Sequence, residues 1–294
     1  MKFLTYMQGG AQIPAVLSPD GLQAVALNAF GFMHETLEQF IRAVSREELN
    51  ALRMALPSKG GQPLESLVLM AAIPEPLQEI IIMENNFTRD DAEQAAFAAR
   101  RAAGERLLPT YFYKKASLCN ADGGVIPLYP DHVEQLDYQA ELCAVTWGDA
   151  YQVTVDEAGS HIFGYTAINN VIARSLVLRH RRPYIATSLD GYLPMAPFIV
   201  TVDEFAPGHR FTIRSFVNGA LRQNDTTAHL RFDAAYAIAD LSQASVLRGA
   251  SILSLGTPYG CAKDIGGEPR VYLKAGDRVT CEVESVGSVT NIVM

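Results

Sequence analysis

Gln139 and Glu141 stand two residues apart in the run "LDYQAEL" at 136–142. Read as a strand, this run turns both side chains to one face and puts Tyr138 and Ala140 on the other. Two acids at that spacing would converge on a hard cation. Here the first is an amide, so the face offers one carboxylate. A second pair is Asp90 and Glu93 in "NNFTRDDAEQAAFAARRAAGE" at 85–105. On a helix, residues three apart can share a face, so both could reach a cleft and move protons there. Asp90, like Thr88, also suits a helix N-cap, with its carboxylate near the positive end of the dipole. In that reading only Glu93 faces the cleft, and desolvation would raise its pKa toward neutrality. The histidines (His34, His132, His161, His180, His209 and His229) show no metal-ligand spacing.

The elements that must position these groups are mostly short strands. "KFLTYM" and "PAVLS" open the chain as strands, and "PDG" at 19–21 marks a turn. Two helical stretches follow, "ETLEQFIRAV" and "SREELNALRMAL". The second has capping-box spacing between Ser45 and Glu48, and helical periodicity at Leu49, Leu52 and Leu56. A Gly/Pro-rich loop at 57–63 and "AIPEP" at 72–76 separate a small N-terminal α/β domain, residues 1–72, from the remainder, 73–294. "EIIIM" reads as a buried strand, and the Ala-rich run after it as a helix. From residue 110 strands dominate: "TYFYKK", "DYQAELCAV", "PFIVTVDEF", "FTIRSFVNG", "TTAHLRF" and "DRVTCEVESVG". One further helix falls on "FDAAYAIADLSQAS". The fold class is therefore α+β and β-rich.

The 294 residues are 49% hydrophobic and 19% charged, as in an ordinary folded protein. A net charge of −8 argues against a nucleic-acid partner, which needs a basic face. The one basic run, "RHRRP" at 179–183, reads as a solvated loop. No apolar run is long enough for a signal peptide or a membrane span. Cys119, Cys143, Cys261 and Cys281 lack paired spacing and read as reduced thiols of a cytoplasmic protein.

The order of segments resembles the fumarylacetoacetate hydrolase family, most strongly from residue 73 to the C-terminus. "DYQAEL" is similar to the family's D-Y-E-x-E-L, and "IFGYTAINNVIAR" to I-F-G-Y-T-x-x-N-D-V-[ST]-A-R. "TSLDGYLPMAPFIVT" is similar to K-S-F-D-T-F-x-P-x-G-P-W-I-V-T. "VNG" at 217–219, "SLGTPYG" at 254–260 and "LKAGDRVTCEVESVGSVTN" at 273–291 complete the series. The resemblance implies a mixed β-sandwich or roll, usually a homodimer, that holds Mg²⁺, Ca²⁺ or Mn²⁺. It also implies chemistry on 1,3-dicarbonyl or 2-oxo acid compounds: C–C hydrolysis, decarboxylation, isomerisation or hydration–dehydration. In that chemistry the cation chelates neighbouring oxygens and steadies an enolate.

Carried over by position, the machinery is depleted. The family's first metal Glu falls on Gln139 and its second on Glu141; the metal Asp of N-D-V falls on Asn170. The lysine of K-S-F-D falls on Thr187. In N-Y-x-x-H-x-x-E the His falls on Asp90 and the Glu on Glu93. Lys114, Arg174, Asp190 and Thr257 match the pattern, and the glycine of P-x-G-P is Ala196. Three acids would give the ion a −3 shell, whereas Glu141 with two amides gives −1. The resemblance thus implies a degenerate metal site at Gln139, Glu141 and Asn170, with no cofactor or only weak Mg²⁺ or Ca²⁺.

The expected function is a divergent, metal-independent enzyme for a β-dicarbonyl, polyketide-like or 2-oxo acid compound. Its reaction would be C–C hydrolysis, isomerisation or condensation. Glu93, Asp90 and Glu141 would handle protons. Lys114, Gln139, Asn170, Arg174, Thr187, Asp190 and Thr257 would bind the small-molecule ligand. Plainer roles compete: Gln139 and Asn170 bonding each other and Glu141, Arg174 in a structural ion pair, Asp190 in a turn before Gly191, Thr257 shaping a turn before Pro258. The alternative is a non-catalytic binding or scaffold protein. A metal-dependent hydrolase or decarboxylase of fumarylpyruvate or oxaloacetate type is a third reading.

Overall fold

The computed structural model describes residues 1–264 and 270–294. Among them one large open sheet runs in the order Gln62–Pro63, Gln23–Ala26, Ala11–Leu17, Lys2–Gln8, Phe198–Thr201, Ile162–Asn169, Ala140–Thr146, Ile252–Ser254, Ile80–Glu84 and Thr110–Lys114, with Val68–Leu69 paired beside Lys2–Gln8. The N-terminal segment joins this sheet directly, through Phe3 opposite Ile199 and Leu4 opposite Phe198. A second open sheet runs Ala220–Thr226, Thr212–Val217, Arg278–Val283, Gly287–Val293 and Val125–Ile126.

The central strand Ala140–Thr146 is buried at every position, because both of its faces are covered. Its even-numbered residues, Ala140, Leu142 and Ala144, share a core with Ile213, Val279 and Cys281 of the second sheet. Cys143 and Val145 face a different core, with Phe3 of the first strand and Phe40, Leu49 and Leu52 of the N-terminal helices. Glu141 shares the parity of this second set. An acid is thus carried at the end of an apolar stripe, where it can stay buried only if it is bonded.

Local signals formed the expected helices. Ser45 Oγ accepts the Glu48 N–H at 3.2 Å while Glu48 Oε2 accepts the Ser45 N–H at 2.8 Å, so the capping box closes at the start of Arg46–Ala55. Asp233 caps Ala234–Ser242 through the Tyr236 N–H. Two expectations need correction. "TTAHLRF" is not a strand: pairing ends at Thr226, and Thr227–His229 is a 3₁₀ turn whose start is capped by the Thr226 hydroxyl. "RHRRP" is not wholly a loop. Arg179 and His180 form the last turn of the helix Arg174–His180, Arg181 stops it at φ 57°, and Pro183 opens the helix Pro183–Thr187. All four cysteines are free and buried. No helix among the described residues is long and apolar enough to cross a membrane.

Candidate functional site

Glu141 lies at the floor of a cavity of about 320 Å³, beside Gln139, Asn170, Arg174 and Thr257 on its wall. Strand alternation turns Gln139 and Glu141 to this side, as the sequence predicts. Asn170 arrives because the chain turns directly after Ile162–Asn169. Asn169 Oδ1 accepts the Gln139 N–H at 3.1 Å, and the Asn170 N–H donates to the Gln139 carbonyl at 2.8 Å. Ser254 comes from the neighbouring strand, opposite Cys143. Gly256 then lets the loop pass the Met83 carbonyl: its φ is 84°, and a Cβ there would lie 2.7 Å from that oxygen.

A chain of bonds runs beneath the floor. Lys114, wholly buried, donates from Nζ to Asn170 Oδ1 at 2.8 Å, to the Val171 carbonyl at 3.2 Å and to the Tyr192 carbonyl at 2.6 Å. All three ammonium protons are therefore used, and Lys114 does not line the cavity. Asn170 Nδ2 donates to Glu141 Oε1 at 3.0 Å, and the Ser254 hydroxyl donates to Glu141 Oε2. Burial pushes the Glu141 carboxyl up to about 7, against the pull of the Ser254 and Asn170 bonds and the Lys114 charge. The same burial lowers the Lys114 ammonium to about 7, against the pull of the Glu141 charge.

Arg174 opens its helix on the cavity wall and is steered from behind. Its Nε donates to Asp137 Oδ2 at 2.9 Å, and Nη2 lies 3.6 Å from Cys261 Sγ. Asp137 is fully buried and also accepts the backbone N–H groups of Tyr138, Ala262 and Lys263, at 2.9, 2.8 and 3.2 Å. One carboxylate thus fixes both the arginine and the 261–264 segment across from it. Arg174 thus makes a structural ion pair while lining the cavity. Thr257 likewise lines the cavity while its Oγ1 accepts from Gln223 Nε2 at 2.8 Å and donates to the Ala140 carbonyl at 3.1 Å.

Other expected residues lie elsewhere. Thr187 is buried, and its hydroxyl donates to the Pro183 carbonyl of its own helix at 3.0 Å. Asp190 is exposed in a turn before Gly191, whose φ is 78°. Asp90 is the N-cap of the helix Asp91–Ala102: its Oδ1 accepts the Glu93 N–H at 2.8 Å. Glu93 does not line the cavity. Its Oε2 accepts the Arg89 N–H at 2.9 Å, and its Oε1 pairs with Arg231. These partners, the Arg89 N–H first, hold its carboxyl below the usual range, so the expected rise toward neutrality is corrected to a fall. Gln139 and Asn170 join through backbone only, and the Gln139 amide has no partner among the described residues.

The helix Asp91–Ala102 buries none of its residues completely; Phe97 packs edge-on against Phe232, and polar ties add to this contact. His229 Nε2 faces Asp91 Oδ1 at 3.0 Å, and its Nδ1 faces Asp225. The Asp91 bond first, then Asp225, raises the imidazole above its ordinary value. A raised folded-state pKa adds stability that is complete below about 6.5 and is lost as pH rises through the folded value. The wild-type melting temperature is therefore expected to fall more steeply above pH 6.5 than that of His229→Gln. Parallel melting curves across pH 5.5–8.5 would show that the tie carries no charge.

The donor chemistry of the floor does not suit a hard divalent ion, which needs oxygen lone pairs, chiefly from carboxylates. The Asn170 oxygen is taken by an ammonium group, and its NH₂ faces Glu141 where a ligand oxygen would be required. Among the described residues no three His, Cys, Asp or Glu side chains are grouped to hold a metal.

A strand-rich fold of open sheets around a polar cavity is that of the fumarylacetoacetate hydrolases. The family model "Fumarylacetoacetate (FAA) hydrolase C-terminal" matches residues 79–294, so the chain belongs to this family. It is 30% identical over 228 residues to the oxaloacetate tautomerase YisK of Bacillus subtilis, covering 78% of this chain and 73% of that one. A fumarylacetoacetate hydrolase from Exiguobacterium antarcticum superposes with a TM-score of 0.83 at 26% identity, over 100% of this chain and 99% of that one. A maleylpyruvate hydrolase from Sphingobium sp. SYK-6, in complex with manganese(II) ion and pyruvate, shares the fold at a TM-score of 0.75 and 21% identity, over 100% and 99% of the two chains.

Sequence reasoning missed Asp137, Ser254, Arg89, Tyr259 and Lys263. The first two lie inside quoted motifs, as the Asp of "DYQAEL" and the Ser of "SLGTPYG", so the signal was present. The other three line the cavity from loops, where no periodicity marks them.

Proposed function

We propose that this protein is an acid–base enzyme that moves a proton at a carbon next to the carbonyl of a β-dicarbonyl or 2-oxo acid, without a resident divalent ion. The observation that carries this reading is the Asn170 amide, bound to Lys114 through its oxygen and to Glu141 through its nitrogen. The floor then presents a bonded carboxylate and no seat for a cation. Glu141 takes the C–H proton, and the electron pair moves onto the carbonyl oxygen as an enolate. Arg174, held at Nε by Asp137, leaves Nη1 without a partner among the described residues and steadies that oxygen. Glu141 then returns the proton to a second carbon or to the oxygen, so the reaction is an isomerisation with no net change in atoms. Tautomerisation, the activity in the name of the Bacillus subtilis relative, is a reaction of this kind.

The test is deuterium exchange at the methylene of acetylacetone and of oxaloacetate, followed by NMR with chelator-treated protein in D₂O. Exchange above buffer is expected, unchanged by chelator and reduced about 10²–10⁴-fold in Glu141→Gln. Exchange that requires added Mn²⁺ or Mg²⁺, or that survives Glu141→Gln, overturns the reading. No exchange under any condition favours a non-catalytic binding protein on this fold.

A further inference from the structure

Arg89 precedes the Asp90 cap and lines the cavity from the side of the helix Asp91–Ala102. Its backbone is fixed, because its N–H donates to Glu93 Oε2. Its guanidinium lies 5.2 Å from the ring centroid of Tyr259, on the loop across the cavity. That contact holds a cation without neutralising it.

Two of the nearby acids are already engaged. Glu93 gives its other oxygen to Arg231, and Asp264 Oδ2 faces the Cys261 thiol at 2.9 Å and the Gly260 N–H at 3.3 Å. Glu84, also on the wall, is exposed to solvent. Arg89 makes no ion pair within 4.0 Å of a carboxylate among the described residues. Lys263 is a second cation among the lining residues, with only its backbone N–H committed to Asp137.

We propose that Arg89 is a specificity-determining residue: parked on Tyr259, it receives a second carboxylate of the ligand whose reacting carbon meets Glu141, with Lys263 as a further cation lining the cavity. The cavity would therefore select acids with a second carboxylate over their monoesters. This deepens the proposed function, resting on the same cavity as the ligand site. The motif match assigns a role to Asp90 next door and none to Arg89, whereas the Asp90 carboxylate is used as a cap.

The probes are malonate, succinate and glutarate, each measured by calorimetry beside its monomethyl ester. At least one diacid is expected to bind about tenfold or more tightly than its ester, as a charge-assisted bond to a guanidinium would give. Arg89→Gln should erase that preference with an unchanged melting temperature, and Arg89→Lys should keep part of it. A preference that persists in Arg89→Gln, or its absence from the wild type, overturns the assignment. If Glu141-dependent exchange of neutral acetylacetone continues while the preference is absent, only the Arg89 assignment fails. If the preference stands and depends on Arg89 but no exchange occurs, the proposed chemistry fails instead.

Discussion

Lys114→Met is expected to lower stability by about 3–5 kcal/mol, the usual cost of breaking a buried charged pair by removing one partner. For a chain of this length that corresponds to roughly 5–10 °C in melting temperature. The substitution keeps the stem's volume but removes the donor that joins Asn170 Oδ1 to the Val171 and Tyr192 carbonyls. Asn170 Oδ1 and the Val171 carbonyl are then buried without a partner, the Tyr192 carbonyl keeps only the Val171 N–H at 3.2 Å, and Glu141 loses the cation whose charge favours its ionised form. A double variant, Lys114→Met with Glu141→Gln, separates the two effects. Its loss should be smaller than the sum of the single losses by about 1 kcal/mol or more, because the uncompensated charge is removed with its partner. Strict additivity in urea denaturation would show that Asn170 does not couple the two groups.

The reach of the sequence follows the reach of the interactions. The Ser45–Glu48 box and the Asp90 cap close within three residues, so type and spacing suffice to find them. Gln139 and Glu141 share the cavity because alternation along a strand is a backbone property. The placement of Lys114 is not legible in this way, since its partners are at Asn170, Val171 and Tyr192. A lysine in "TYFYKK" looks like an exposed strand end until tertiary pairing lays the chain over it. Glu93 fails for the same reason. Its orientation is decided by Arg231, 138 residues away, and by the N–H of a neighbour whose own side chain turns to the cavity. Motif matching places Thr187 in the site by position. The threonine side chain is too short to leave its own helical turn and bonds back to Pro183 instead.

The depleted floor leads to a second large effect, in a variant that rebuilds the family's three acids. Gln139→Glu with Asn170→Asp should create affinity for Mn²⁺ where the wild type has little. In the variant, one oxygen of residue 170 can stay with Lys114 while the other, in place of the NH₂ now facing Glu141, becomes a ligand. Without metal, like charges beside the buried Glu141 should lower stability below the wild type. With Mn²⁺ at about 100 times its dissociation constant, binding to the folded state alone returns about 2.7 kcal/mol. The expected pattern is thus a variant whose melting temperature starts low and rises by several degrees with Mn²⁺. The wild type should be nearly indifferent to Mn²⁺ and to chelator. Stoichiometric metal in the purified wild type, found by elemental analysis, would mean that the amides ligate after all and that the proton-transfer reading lacks its premise. A double variant that binds no Mn²⁺ in calorimetric titration would show that residues 139 and 170 do not occupy the family's metal positions.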